Sequence, residues 1–295
     1  METIIGLGEA GCNIADKFAN YDQYKIYKID VGLKGLEETG FGDFVQAGIY
    51  SMPKQASPED YEEYCPDMKY FFKDTRGEVL FIIGGSGNIS GSALRILSHL
   101  KHCDINILYI QPDVELLPET KKLQERTTYY ILQEYARSAV FKNIFLVSNP
   151  TVEEHLGNVP LVGYFDKINE VIVSTLHMIN VYNHIKSVTN TFYDPYETAR
   201  ISTFGLVNID DGTIKPFFPL DNLREMRYYY AINKKNLETD GELFKKIKQQ
   251  VKTKSQEGIK SSYGVYSTAY EKDYCYTVCY TSTVQRRESD AVEPG

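Results

Sequence analysis

Apolar residues fall along this chain in two patterns, and the alternation between them sets the expected fold. Short continuous apolar runs at 3–7, 24–30, 79–83, 105–110 and 143–148 read as strands buried on both faces. Between them, apolar residues three and four apart predict helices at 11–20, 93–102 and 121–138. Apolar strands flanked by helices predict an α/β fold with a parallel, Rossmann-like sheet covered on both faces. A further helix is expected at 165–186, where Ile168, Val171, Ile172, Leu176, Ile179 and Ile185 recur at burial spacing. It is long for a globular helix and reads as a bridge between two units. Runs at 201–209, 226–232 and 274–283 then read as strands. Between the last two, a basic amphipathic helix at 241–256 sets Leu243, Ile247 and Val251 on one face and its lysines towards solvent. The expected organisation is a first domain at 1–163, a central helix at 164–188 and a smaller C-terminal α/β domain at 189–284. The ending, 285–295, lacks apolar periodicity and reads as a mobile acidic tail.

Two glycine loops interrupt this pattern. Gly6, Gly8 and Gly11 form G-x-G-x-x-G directly after the first strand and open a helix. Such glycines let backbone approach a phosphate, and the helix N-terminus adds unpaired N–H donors. Asp30 ends the next strand, about where a ribose-binding acid of an NAD site would stand. The second loop, 84–92, also follows a buried strand and precedes a helix. An NAD domain needs one such cradle; two on one sheet point to a polyphosphate held from two sides. No G-x-x-x-x-G-K-[ST] occurs, which argues against an ordinary P-loop enzyme.

Composition narrows the picture. The net charge of −8 and pI near 5.3 oppose direct nucleic-acid binding without a local basic patch. No apolar run has membrane-spanning length and no leader pattern opens the chain, so no membrane association and a cytoplasmic location are expected. The five cysteines are scattered, as reduced thiols are; Cys275 and Cys279 share a strand face, where core packing accounts for them better than zinc does. His99 and His102 lie three apart on a helix with no further ligands nearby and read as surface residues, so no protein metal site is expected.

Gly8, Glu9, Ala10, Gly11, Cys12, Asn13 and Ile14 resemble the first phosphate loop of the tubulin/FtsZ family, G-Q-[AC]-G-x-Q-I-G. Gly85, Ser86, Gly87, Asn88, Ile89, Ser90 and Gly91 resemble its signature loop, G-G-G-T-G-[ST]-G, with departures. Ser86 and Ile89 stand where glycines are expected and Asn88 where threonine is; a bulky Ile89 is expected to crowd a phosphate. Phe165 and Asn169 match the aromatic and the guanine-pairing residue that open the family's central helix, and an amide can pair with the guanine edge. Asp194 and Glu197 keep the acid spacing of the loop that enters a neighbouring subunit's pocket and orients the attacking water. Asp194-Pro195 also reads as a plain helix start. Glu119 stands where the family keeps a ribose-contacting acid, and also suits a helix's first turn.

What the resemblance implies is a GTP- and GDP-binding protein, with Mg²⁺ accompanying the triphosphate, that assembles with itself head-to-tail into filaments. Hydrolysis at the subunit interface would make it a GTPase active only on assembly, with an adaptor or cargo protein as a further partner. The short length and acidic tail look most like the relatives found in bacteriophages. Two alternatives remain: a tubulin-like scaffold that has lost hydrolysis, motivated by Ser86, Asn88 and Ile89, and an NAD-dependent oxidoreductase built on residues 6–11 and Asp30.

Overall fold

The computed structural model describes residues 1–33 and 48–287. Strand β1 (Thr3–Leu7) passes without a linker into helix α1 (Gly8–Phe18), and β2 (Lys25–Val31) and β3 (Ile49–Met52) follow. Helix α2 (Pro58–Glu63) is too short to show periodicity; Ser57 and Asp60 start it with a reciprocal capping box, and Pro58 fixes its first turn. After β4 (Glu78–Gly84), a 3-10 turn (Asn88–Ser92) runs straight into α3 (Ala93–Ser98). The helix expected at 93–102 therefore stops early: His102 reaches back, its Nε2 donating to the Thr75 carbonyl at 3.0 Å. Next come β5 (Asp104–Gln111), α4 (Glu119–Arg137), β6 (Asn143–Ser148), α5 (Asn149–Leu156) and the long α6 (Tyr164–His184).

The second half holds β7 (Thr189–Asn190), β8 (Ile201–Val207), β9 (Ile214–Pro216), β10 (Glu225–Asn233), α7 (Lys234–Thr239), α8 (Leu243–Gln256), β11 (Lys260–Thr268) and β12 (Tyr274–Thr281). No regular element lies between Asn190 and Ile201, so Asp194-Pro195 does not start a helix. Among the described residues the strands form one sheet in the order β3-β2-β1-β4-β5-β6-β8-β12-β10-β11-β7, with β9 against β8. The pairs from β3 to β6 are parallel, as expected. β6 meets β8 through two residue pairs, after which the sheet is mixed.

Alternating strand residues feed two layers. Ile5, Phe81, Ile107 and Tyr109 pack with Tyr129 and Leu132 of α4, while Ile4, Ile82, Leu108 and Ile110 pack with Ile14 of α1 and Ile168 and Ile172 of α6. Helix α6 continues along the same face to the second half, where the ring centres of Tyr182 and Tyr266 lie 4.5 Å apart. The opposite face there packs under α8, around Tyr228, Tyr230, Cys275 and Cys279. Both cysteines are buried core residues. The loose tail does not begin at 285: Gln285 is buried and exchanges main-chain hydrogen bonds with the Gln133 side chain. Residues 288–295, the rest of the expected acidic tail, lie outside the described residues.

Candidate functional site

The first glycine loop is shaped by close backbone packing. A Cβ on Gly6 would sit 2.4 Å from the Gly11 carbonyl oxygen, and one on Gly11 would sit 2.5 Å from that of Ile82. Glycine at both positions is what lets α1 start hard against β1 and β4. No side chain caps α1, which leaves the N–H groups of its first turn without a side-chain acceptor at the cap. Glu9, Ala10 and Asn13 lie on the exposed side of this turn, and Gly8 and Gly11 beneath it. Cys12 points inward, its Sγ facing the carbonyls of Gly6 and Ile29 at 3.5 and 3.7 Å, and burial pushes its thiol up to about 12. Cys12 thus offers a ligand its backbone alone.

The second loop is held by side chains. Ser90 Oγ donates toward the carbonyls of Gly87 and Gly85, at 2.5 and 3.2 Å, and accepts from Gln124 Nε2 at 2.9 Å. Ser92 Oγ is spent on the Ile89 carbonyl at 2.7 Å. Asn88 donates to the Ala56 carbonyl at 3.2 Å and accepts from Lys121 Nζ. Ile89, expected to crowd a phosphate, turns into the core instead; the 3-10 turn aims its side chain inward. There it meets the first loop, its Cγ2 being 2.9 Å from where a Cβ on Gly8 would stand. Gly91 lies against the Pro58 carbonyl, and Ser86 and Gly87 form the outer tip.

The start of α6 completes this edge of the sheet. Asn13, Asp16 and Lys17 of α1, with Asn20 just beyond it, face Leu161, Tyr164, Phe165, Asp166 and Asn169 across a groove of about 650 Å³. Phe165 is 63% exposed, its ring edge-on to Tyr164. Asn169 is only 9% exposed, yet its amide makes no hydrogen bond among the described residues, nor does that of Asn13. Lys17 pairs with Asp166 across the groove at 2.9 Å. Glu119 begins α4 beside the second loop, but its carboxylate is exposed and paired with Lys122 at 2.9 Å. Asp30, the last residue but one of β2, has its Oδ1 on the Val31 N–H, and burial raises its carboxyl above the usual range.

Asp194 and Glu197 lie elsewhere. They line a cavity of about 620 Å³ with Met1, Glu78, Lys142 and Asn143, residues at the starting edge of the parallel strands. The glycine loops follow the finishing edge of the same strands. Strands such as β4 span roughly 20 Å, so the acids and the glycine loops of one chain cannot meet. Both acids are exposed, and the backbone beneath them is pinned. Buried Glu225 accepts from Arg227 Nε at 2.9 Å and from the Tyr196 N–H at 3.2 Å, while Arg227 Nη2 donates to the Tyr193 carbonyl. Lys260 Nζ stands 3.6 Å from the Tyr193 ring centre.

No protein-family model and no curated protein sequence matches the chain. Solved structures do. The GTPγS-form protofilament of Bacillus thuringiensis serovar israelensis TubZ superposes with a TM-score of 0.71 at 15% identity, covering 95% of this chain and 87% of that one. The four-stranded TubZ-Bt filament gives 0.69 at 16% identity over 94% and 85%, and an empty FtsZ dimer of M. jannaschii 0.65 at 13% over 94% and 87%. The fold is that of TubZ and FtsZ. The TubZ likeness takes in the C-terminal half, beyond the motifs quoted above, the last of which ends at Glu197.

Sequence reading missed several groups at both edges. Lys17, Asp166 and Tyr164 line the groove, and Arg227 with Glu225 anchors the loop of Asp194. For the last pair a signal existed: a glutamate and an arginine two apart in an otherwise apolar strand demand a buried partner for each.

Proposed function

We propose that this chain binds GTP and GDP at the glycine-loop edge, assembles head-to-tail with copies of itself, and hydrolyses GTP where two copies meet. The observation that carries this reading is the placement of the two half-sites on opposite edges of one sheet. A nucleotide on the Gly8 to Asn13 backbone and the Gly85 to Gly91 loop has no carboxylate of its own chain aimed at it from the other edge. A second copy stacked below the groove would bring Asp194 and Glu197 to it. Both edges carry the apolar surface such a contact uses: Leu161 and Val162 are 91% and 92% exposed at one, Ile185, Val188 and Tyr196 47%, 63% and 48% at the other. A heterologous contact of this kind generates an open filament, and the similar TubZ structures are themselves a protofilament and a filament.

The groove suits guanine. The uncommitted Asn169 amide offers an acceptor and donors side by side to the base edge, and Phe165 offers a ring face. The α1 N-terminus and the two loops supply N–H donors for phosphate oxygens. An Mg²⁺ ion would be carried by the phosphates and water. Such an ion neutralises charge on the transferring phosphoryl group. The role of Asp194 and Glu197 is to hold and polarise the attacking water. A scaffold that binds nucleotide without hydrolysis is the second reading, favoured by the contact of Ile89 with Gly8, which closes space between the loops.

Light scattering at 90° with magnesium and GTP, GDP, ATP or no nucleotide, with phosphate release followed in the same sample, tests the proposal. Scattering should rise with GTP alone and decay as phosphate appears. A rise with GTP and no phosphate selects the scaffold; no response to any nucleotide rejects the GTPase reading and leaves the scaffold.

A further inference from the structure

Beneath the second glycine loop lies a charged cluster that the proposed reaction does not use. Glu125 of α4 is fully buried, and its Oε1 accepts from the Tyr109 hydroxyl at 2.5 Å. A Cβ on Gly85 would stand 2.1 Å from that hydroxyl and 3.1 Å from Glu125 Cγ, so the loop is seated directly on this pair. The adjacent residue of α4, Gln124, donates to Ser90 of the same loop. A buried carboxylate needs a cation, and here it comes from the far end of the chain. Arg287 ion-pairs with Glu125 Oε1, its guanidinium 4.6 Å from the Tyr129 ring centre. The Gln111 amide oxygen, turned to accept, takes two more of its hydrogen bonds at 3.1 and 3.0 Å. Two residues earlier, Gln285 clips the same segment to Gln133 of α4 and, through its side chain, to the Asp221 N–H at 2.7 Å. Glu125 Oε2 is buried without a hydrogen-bond partner among the described residues.

We propose that Arg287 is a positioning residue for the second glycine loop, acting through Glu125. The inference rests on reading residues 84–92 as a nucleotide loop. Arg287 neutralises the carboxylate on which Gly85 sits; lifting residues 285–287 off α4 leaves a buried negative charge directly under the loop, where a phosphate would bind. Whatever pulls on the chain immediately after Arg287 therefore acts on the nucleotide edge.

The test compares full-length wild type, Arg287→Met and the double variant Arg287→Met/Glu125→Gln. Amide hydrogen exchange is read without nucleotide, and GTPγS and GDP affinities alongside. In Arg287→Met, exchange at 84–92 should quicken at least tenfold while that of β10 and α8 stays as in wild type, and GTPγS should bind at least tenfold more weakly. The double variant, with the buried charge removed, should restore both to within about threefold. Exchange at 84–92 that is unchanged in Arg287→Met, or that rises equally everywhere, or that the double variant fails to restore, overturns the proposal. Should Arg287→Met not fold, Arg287→Lys carries the same comparison, with a smaller rise confined to 84–92. If the wild type binds no nucleotide, the functional reading falls, and the exchange pattern alone decides whether Arg287 positions the loop.

Discussion

At the finishing edge of the parallel strands the candidate site is mostly backbone; at the starting edge it is side chains on a braced loop. The first edge is defined by missing Cβ atoms: Gly6, Gly8 and Gly11 let α1, β1, β4 and the second loop approach to contact. The second is defined by a buried ion pair, Arg227 with Glu225, that holds residues 193–196 so that Asp194 and Glu197 project into solvent. A backbone-built edge tolerates almost no added atom, and a side-chain-built edge tolerates loss of its exposed acids but not of its brace. That asymmetry separates changes that destroy the fold from changes that destroy only the chemistry.

The largest effect is expected from Gly11→Val. Its Cβ would lie 2.5 Å from the Ile82 carbonyl, and backbone cannot give way there. Urea unfolding should show a loss of more than about 4 kcal/mol, or no folded protein. Arg227→Met should come next, costing about 3–5 kcal/mol because Glu225 stays buried without its cation. Adding Glu225→Gln should return most of that loss; a double variant as unstable as the single would refute the brace. Asp194→Ala should leave unfolding within about 0.5 kcal/mol of wild type, while phosphate release falls at least 100-fold, roughly 2.7 kcal/mol of barrier. Full activity in that variant would remove the starting edge from the chemistry. The smallest effect belongs to Asn169→Leu, which deletes the amide but keeps its bulk. GTP binding, measured by titration calorimetry, should weaken about tenfold, near 1.4 kcal/mol, with ATP binding unaltered.

The sequence exposed the first edge well because its signals are local. An apolar run followed by three glycines and an amphipathic stretch needs no knowledge of distant residues, and β1, β6 and α6 fell close to their expected places. Ile89 shows where local reading fails: on a loop it reads as an obstruction, yet the 3-10 turn buries it against Gly8. Strand β11 was invisible because Ser261, Ser262 and Gly264 look like a turn; Gly264 is required by the Phe192 ring, 2.6 Å from where its Cβ would be. The groove and the charged cluster under the second loop were hidden for the same reason. Lys17 meets Asp166, and Arg287 meets Glu125, only after the chain has folded across about 150 residues of separation.

The most direct test of a site shared between two copies is the specific GTPase activity of the purified wild type as a function of its own concentration. A composite site gives almost no phosphate release below a threshold concentration and a linear rise above it, in step with sedimentable filament. A specific activity that stays constant on dilution far below the onset of assembly would mean that one chain carries the whole site, contradicting the account.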